Sequence, residues 1–509
     1  MKHIKKLASL LLVLVMVFAL ATTAFAEETT YSITINNSAK DHTYEAYQIF
    51  TGDLSGTTLS NIVWGSGVSE AGQTALGDAA AKAETLKTEA DAKAFAKAVA
   101  PYLTTVAGSA NTVTDGKYVI SGLAAGYYLV KDQDGSLTDD ADAYTEYIIK
   151  VVSDTTATPK SSVPTVEKKV KDTNDSTGVT SAWQDSADYD IDDSILFQLK
   201  ATLADNVSSY TTYKVVFHDT LSKGLTYNND AKVHIDGTET NGFAVTATVN
   251  ADGTMLTVSC DDVKALNAVN SSAITVEYTA KLNENAVLGS AGNPNEVYLE
   301  YSNNPNKSEE GNNETGETPK DVVIVFTYKT IINKVDSENK PLTGAAFKLE
   351  KLIKGKDGAA DTWTTVKEFT VDETTTSFTF SGLDDGQYKL TETKTPAGYN
   401  TIDPIYFVIE ATHDATADTP ALTVLKAYLT DENGNKKTEV KDGETVNIDL
   451  GTVDLTAGSI TTTVVNKSGS ELPSTGGIGT TIFYVLGGVL VLAAVVLLVT
   501  NKRMSGAEK

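Results

Sequence analysis

The stretch that decides the fold is GQYKLTET, residues 386–393. Tyr388, Leu390 and Glu392 alternate there with polar residues, and this period of two predicts a β-strand with one face on a core. The same alternation recurs in residues 195–199, 215–217, 256–260, 274–278 and 297–301. Short alternating strands separated by Gly, Asp and Asn turns are typical of sandwiches, so we predict an all-β fold of tandem Ig-like β-sandwich domains.

Changes in composition divide the chain into three such domains. A linker that contains Thr, Ser and Pro, residues 155–164, joins the first domain to the second, and the polar run 303–319 joins the second to the third. We therefore expect domains at 27–160, 161–320 and 321–470. Within the first of them, residues 70–103 are rich in Ala, Lys and Glu, which predicts a helical insertion.

Charge and cysteine content exclude several classes of protein. The 509 residues include 41 Lys and Arg against 67 Asp and Glu, a formal charge of −26, which argues against binding nucleic acid. The single cysteine, Cys260, cannot form an internal disulfide or a cysteine-based zinc site, and its position in the alternation predicts burial. Neither HExxH nor GxSxG occurs, so we expect no enzyme activity and identify no cofactor or metal site.

Both ends of the chain carry targeting signals. Basic residues precede the apolar run 10–20, and Ala24-Phe25-Ala26 follows it, which predicts a signal peptide, residues 1–26, that is removed after Ala26. Near the other end, the apolar run 482–499 is followed by Lys502-Arg503. Its length and its basic flank predict a transmembrane helix with a cytoplasmic tail.

Two charged residues of the third segment fall on the inward face of their strands. Lys334 shares the face of Ile332, and Glu392 shares that of Leu390. Burying an unpaired ammonium group is costly, so an inward lysine requires an explanation. The last strand of the segment ends at Asn466.

These residues lie within a set of motifs that resembles the collagen-adhesin B-type domain. The motifs are KVD at 334–336, PLxGAxF at 341–347, YxLxETxxPxGY at 388–399, and the terminal Asn466. The resemblance implies that the Lys334 amine attacks the Asn466 side-chain amide, that ammonia leaves, and that Glu392 is the assisting acid of the isopeptide bond. Burial favours such chemistry because it lowers a lysine pKa and raises a carboxyl pKa.

The second segment repeats this scheme in a more divergent form. Lys168 shares the inward face of its strand with apolar neighbours, and the stretch FHDTLSKGL, residues 217–225, resembles the acid-bearing strand of the middle domain of shaft pilins. We expect a triad of Lys168, Asp219 and Asn295. The alternatives are Lys169 for the lysine, Asn293 or Asn303 for the asparagine, and a strand-end turn role for Asp219.

The first segment departs from the scheme. Asn36 and Asn37 stand where the lysine would be, so we expect a similar sandwich without a cross-link. Asp132, Asp134 and Gly135 lack the spacing of an EF-hand and are predicted to form a solvated acidic turn.

The motif before the apolar run is Leu472-Pro473-Ser474-Thr475-Gly476. Together with that run and the basic tail, it resembles the cell-wall sorting signal of Gram-positive surface proteins, and we assign 471–509 to it. The resemblance implies that a sortase cuts between Thr475 and Gly476 and passes the Thr475 carbonyl to an amine.

A lysine at the first domain boundary completes the resemblance. Shaft pilins carry their acceptor lysine in VxVxPK, and here Thr158-Pro159-Lys160 occupies that place without the aromatic residue before proline. The whole chain resembles an LPxTG-anchored major pilin of sortase-assembled Gram-positive pili, secreted, anchored to peptidoglycan and polymerised from Thr475 to Lys160. Its implied partners are pilin-type and housekeeping sortases, other copies of itself, peptidoglycan, accessory pilins and host surface ligands. A monomeric wall-anchored adhesin is the alternative.

Overall fold

The structure of the protein, a computed structural model, describes residues 29–137, 142–159, 162–309, 312–441, 444–469 and 479–504. Three β-sandwich units follow one another along these residues, so the predicted all-β architecture is confirmed. The signal peptide, Lys160 and the sorting motif at 472–476 lie outside the described residues.

The first unit has eight described strands in two sheets. The smaller sheet has the order β5-β1-β8, and the larger has β3-β2-β6-β7 with β4 paired to β2. The strands are β1 Tyr31–Asn36, β2 Tyr44–Ser55, β3 Thr58–Trp64, β4 Gly108–Ala110, β5 Lys117–Leu123, β6 Gly126–Asp132, β7 Glu146–Val151 and β8 Thr155–Ala157.

The predicted helical insertion consists of three helices. They are α1 Glu70–Leu76, α2 Ala79–Thr85 and α3 Glu89–Val99. The side chains of Ser69, Asp78 and Thr88 each accept a backbone N–H and thereby cap one helix start, which divides the Ala-rich stretch. Phe95 of α3 stacks on Phe50 of the larger sheet at 5.4 Å between ring centroids, so the insertion packs on its own sandwich.

The middle unit contains the largest core. One sheet has the order β12-β25-β21-β14-β19-β18 with β24 paired to β21, and the other has β17-β16-β20-β13-β9 with β15 paired to β20. Its strands are β9 Thr165–Val170, β10 Thr173–Asn174, β11 Val179–Thr180, β12 Ser186–Asp188, β13 Ser194–Thr202, β14 Val215–Ser222, β15 Leu225–Tyr227, β16 Lys232–Ile235, β17 Thr238–Thr240, β18 Ala244–Val249, β19 Gly253–Cys260, β20 Ala273–Leu282, β21 Asn293–Ser302, β22 Ser308–Glu309, β23 Asn312–Asn313, β24 Thr315–Glu317 and β25 Asp321–Phe326.

The change from the middle to the third unit falls at Thr327. Strand β25 pairs with β21 of the middle unit, whereas the next strand, which begins at Tyr328, pairs within the third. The expected boundary at 320 therefore precedes the last strand of the middle unit. The polar run 303–319, predicted to be a linker, contains the short strands β22 to β24.

The third unit places its first and last strands side by side. Its sheets have the orders β29-β26-β36-β35 and β28-β27-β30-β31-β32, and β26 runs parallel to β36 with Lys334 opposite Val464. The strands are β26 Tyr328–Val335, β27 Ala346–Ile353, β28 Thr362–Glu368, β29 Ser377–Leu383, β30 Gly386–Lys394, β31 Ile405–His413, β32 Leu422–Thr430, β33 Thr438–Lys441, β34 Glu444–Asn447, β35 Thr452–Asp454 and β36 Ser459–Val465.

After the third unit, Gly479–Met504 forms helix α4. Of the helices in the described part of the chain, none is long and apolar enough to cross a membrane. The span predicted for 482–499 therefore stays a prediction.

Candidate functional site

The third unit brings Lys334, Glu392 and Asn466 together in its interior. Lys334 and Asn466 are fully buried, and Glu392 is 6% exposed. The Lys334 Nζ donates to the carbonyls of Val335 and Val464 at 3.1 Å. The Asn466 Nδ2 donates to Glu392 Oε2 at 3.0 Å, so the acid contacts the amide directly.

The surroundings of this group suit an amine nucleophile. Burial lowers the pKa of Lys334 to about 8, in opposition to the charge of Glu392. An appreciable fraction of the amine is therefore neutral near pH 7 to 8. Glu392 Oε2 also accepts from the Ile402 N–H, and Asn466 Nδ2 also donates to the Asn400 carbonyl, which fixes the two groups relative to each other. Among the described residues, the Asn466 Oδ1 has no hydrogen-bond partner.

The middle unit assembles a second group from Lys168, Asp219 and Asn295, all fully buried. Lys168 Nζ donates to Asp219 Oδ1 at 2.5 Å. Asp219 lies in the middle of β14, so the strand-end turn interpretation is wrong. Burial lowers the pKa of Lys168 and raises that of Asp219, which favours the neutral amine beside a protonated carboxyl.

The alternative residues have other contacts. Lys169 forms an ion pair with Asp185 and is partly exposed. Asn293 is held by backbone groups, since its Nδ2 donates to the carbonyls of Val287 and Val325. The backbone carbonyl of Asn303 accepts from Tyr144 N at 2.8 Å, where the first and middle units meet.

Sequence reasoning missed Tyr278, which links the members of the middle group. Its hydroxyl donates to Asp219 Oδ2 at 2.5 Å and accepts from Asn295 Nδ2 at 2.8 Å. Lys168 Nζ also donates to this hydroxyl at 3.1 Å. The alternation of β20 predicts burial of Tyr278 but carries no signal for this bridging role.

A cleft of about 370 Å³ lies beside the first domain boundary. Pro159, the described residue next to Lys160, lines it together with Lys97, Glu146 and Asn306. Burial raises the pKa of Glu146 to about 7. The lining of the cleft therefore includes the Lys97 amine and the Glu146 carboxyl group, whose pKa is close to neutral pH.

The first unit contains a buried histidine between two carboxylates. His42 Nδ1 lies 2.7 Å from Asp132 Oδ1, and His42 Nε2 lies 3.0 Å from Asp142 Oδ2. Asp132 is 1% exposed and also accepts from the Thr145 N–H, so the predicted solvated turn is wrong at this residue. Its position at the end of β6 gives it a buried partner that sequence spacing could not indicate.

We expect the first unit to lose stability between about pH 6.5 and pH 9. Burial lowers the pKa of His42, but Asp132 and Asp142 outweigh it and raise the pKa to about 9. A pKa above that of the unfolded chain contributes stability that is complete below about 6.5 and is lost as the pH rises through about 9. The neighbouring rings of Tyr44 and Tyr118 have pKa values raised by burial and stay neutral in this window. Calorimetry across this pH range should show the loss in the wild type, and His42→Gln should flatten it; an equal slope in both would contradict the assignment.

Two clusters at the junction of the middle and third units are the described groups that could hold a metal ion. They are Asp172, Asp188 and His413, and Asp175, Asp190, Asp193 and Asp384, each with ligand atoms within 4.8 Å of one another. In the second cluster, Lys351 Nζ already lies 2.5 Å from both Asp190 and Asp384. Carboxylates of two units thus surround one buried ammonium group.

Comparisons with known protein families match parts of the middle unit, the third unit and the C-terminal segment. Residues 191–305 match the Gram-positive pilin backbone subunit 2, Cna-B-like domain, residues 329–423 match a prealbumin-like fold domain, and residues 464–505 match the LPXTG cell wall anchor motif. The chain is similar to Gram-positive backbone pilins in these matches. It is a secreted, cell-wall-anchored pilus protein.

The chain also resembles individual pilins along most of its length. It is 27% identical over 399 residues to the trypsin-resistant surface T6 protein of Streptococcus pyogenes serotype M6, covering 68% of this chain and 70% of that protein. The solved T6 backbone pilin has a TM-score of 0.56 at 19% identity, with 88% of this chain and all of that chain covered, which shows a shared fold. The major pilin SpaD of Corynebacterium diphtheriae has a TM-score of 0.48 at 19% identity, covering 87% and 99% of the two chains.

Proposed function

We propose that a sortase joins the Thr475 carbonyl of one subunit to the Lys160 amine of the next, and that each subunit carries two internal isopeptide bonds. The resulting fibre would be a covalent shaft attached to peptidoglycan. The observation that carries the proposal is the pair of buried groups, Lys334 with Asn466 and Lys168 with Asn295, each accompanied by an acid. Such pairs have a clear chemical use in a protein that must bear tension.

The contacts of the third unit support the proposed cross-linking reaction. The neutral Lys334 amine attacks the amide carbon of Asn466, and the carbon–nitrogen bond of the amide breaks as ammonia leaves. Glu392, 3.0 Å from Asn466 Nδ2, is placed to carry a proton from the attacking amine to the leaving nitrogen. The fold holds the lysine and the asparagine in place, so the reaction does not pay the entropic cost of bringing the two groups together in water.

The position of the linker supports Lys160 as the acceptor. Strand β8, which ends at Ala157, pairs with β1 of the first unit, and the middle unit begins with β9 at Thr165. The described residues on the two sides of this connection thus belong to different units, and connections between folded units are common places for residues that an enzyme must reach. A lysine with an ordinary pKa is protonated at neutral pH, so we expect the sortase to supply the deprotonation of the acceptor.

We expect the mature chain to be lighter than its sequence mass by two molecules of ammonia. Each isopeptide bond releases one, because the lysine nitrogen replaces the amide nitrogen. Intact-mass spectrometry of recombinant residues 27–475 measures the deficit, and tryptic mapping locates the joined peptides. If the measured mass equals the mass calculated from the sequence, both cross-links are removed from the proposal. If the mass is lower by one ammonia, only the cross-link located by peptide mapping is retained.

A further inference from the structure

We propose that Tyr278 is a catalytic residue of the Lys168–Asn295 cross-link, where its hydroxyl passes a proton from Asp219 to the departing amide nitrogen. This inference rests on the proposed function, since it concerns how one of the two bonds is made. It assigns to the middle unit a group that the third unit does not need.

The difference between the two units lies in how the acid reaches the amide. In the third unit, Glu392 contacts the Asn466 nitrogen directly at 3.0 Å. In the middle unit, the acid is aspartate, which is one methylene shorter. Within the described part of the chain, the hydrogen-bond path from Asp219 to the Asn295 amide runs through the Tyr278 hydroxyl, at 2.5 and 2.8 Å.

The tyrosine is held firmly in this place. Its ring stacks on Phe197 at 5.5 Å and meets Tyr227 edge-on at 5.6 Å between centroids. Tyr278 is 1% exposed and the three triad residues are fully buried, so bulk water does not reach the reacting atoms. A proton that moves between acid and amide needs a side-chain carrier here.

The reaction balances with this carrier. Lys168 first gives one proton to Asp219, and the neutral amine then attacks the amide carbon of Asn295. The amide nitrogen becomes tetrahedral and basic, so the hydrogen bond at the Tyr278 hydroxyl can reverse. Tyr278 gives its proton to that nitrogen and recovers one from Asp219, which takes a second proton from the lysine nitrogen. The carbon–nitrogen bond breaks, ammonia leaves, and Tyr278 is again a neutral hydroxyl.

The test is Tyr278→Phe in the mature chain, read by intact mass and peptide mapping over time. The substitution keeps the ring and its packing but removes the carrier. We expect the freshly purified variant to lack the Lys168–Asn295 deficit and to form it at least ~10²-fold more slowly, the lower range for general acid–base catalysis. The loss of ammonia from the Lys334–Asn466 pair in the same molecule shows that the protein is folded and can form isopeptide bonds.

Tyr227→Phe is the matched control. Tyr227 contacts the same ring, but its hydroxyl accepts from the Ala231 N–H and takes no part in the relay. We expect both deficits in this variant. If Tyr278→Phe also shows both deficits at the rate of the wild type, the inference is overturned.

A rescue separates proton transfer from mere packing. Asp219→Glu lengthens the acid by one methylene, which should let it contact Asn295 directly, as Glu392 contacts Asn466. We expect the double variant Asp219→Glu, Tyr278→Phe to regain the middle-unit deficit. A folded double variant without that deficit would mean that Tyr278 only positions the amide, which overturns the proton transfer. If instead the wild type lacks the Lys168–Asn295 bond, the proposed function fails for the middle unit, a result that mapping distinguishes from failure of Tyr278 alone.

Discussion

Cells that carry Lys160→Ala are expected to lose the ladder of SDS-resistant pilin multimers completely and to retain a single wall-anchored monomer. Thr475 and Lys160 lie at different positions of the subunit, so each joint is heterologous and leaves both outer ends free for further growth. Removal of the acceptor amine leaves no nucleophile for the next acyl group. The measurement is an anti-pilin blot of cell-wall extract boiled in SDS.

Two further variants define this result. Thr475→Ala should prevent both polymerisation and anchoring, because no acyl-enzyme can form. Lys150→Ala, an exposed lysine of β7 in the same unit, should leave the ladder intact. A full ladder in Lys160→Ala would assign the acceptor role to another lysine, with Lys168 and Lys169 the nearest in sequence. Wild-type cells that make no ladder in the presence of a pilin-type sortase would favour the monomeric adhesin.

Glu392→Ala is expected to leave Lys334 and Asn466 present but unjoined. The bond would close a loop of about 130 residues, for which the chain-entropy model gives about 4–5 kcal/mol of stabilisation. The third unit should therefore melt roughly 10–20 °C lower and be cleaved faster by trypsin. Calorimetry and limited proteolysis measure these changes, and intact mass shows one ammonia deficit fewer.

Loss of the Glu392 side chain also removes its own hydrogen bonds. Glu392→Gln keeps the shape of the side chain but cannot carry a proton, so Lys334 and Asn466 should stay unjoined in this variant as well. Glu350→Gln is the matched control, because Glu350 is a buried acid of the same unit that pairs with Lys348 and Lys389. It should keep the deficit. A full deficit in Glu392→Ala would mean that another group is the acid.

Much of the fold follows from local patterns in the sequence. The period of two places Lys334, Glu392 and Lys168 on the inward faces of their strands. Successive side chains of a strand point to opposite faces, so an odd or even position relative to the core residues decides which face a residue occupies. The helical insertion follows from Ala-rich composition, although the caps at Asp78 and Thr88 divide it. The expected boundary at 320 came too early, because polarity alone does not indicate which sheet strand β25 joins.

The sequence by itself determined the strand pattern and the inward lysines and acids, and it predicts the signals at the two ends. Only the tertiary structure decided which distant residues meet them. It connects Asp219 to Asn295 through Tyr278, surrounds Lys351 with carboxylates of two units, and buries His42 between Asp132 and Asp142. The physical reason is that the alternation of residues along one strand determines the face on which each side chain lies. Contact across a core depends in addition on sheet order, register and the length of each side chain.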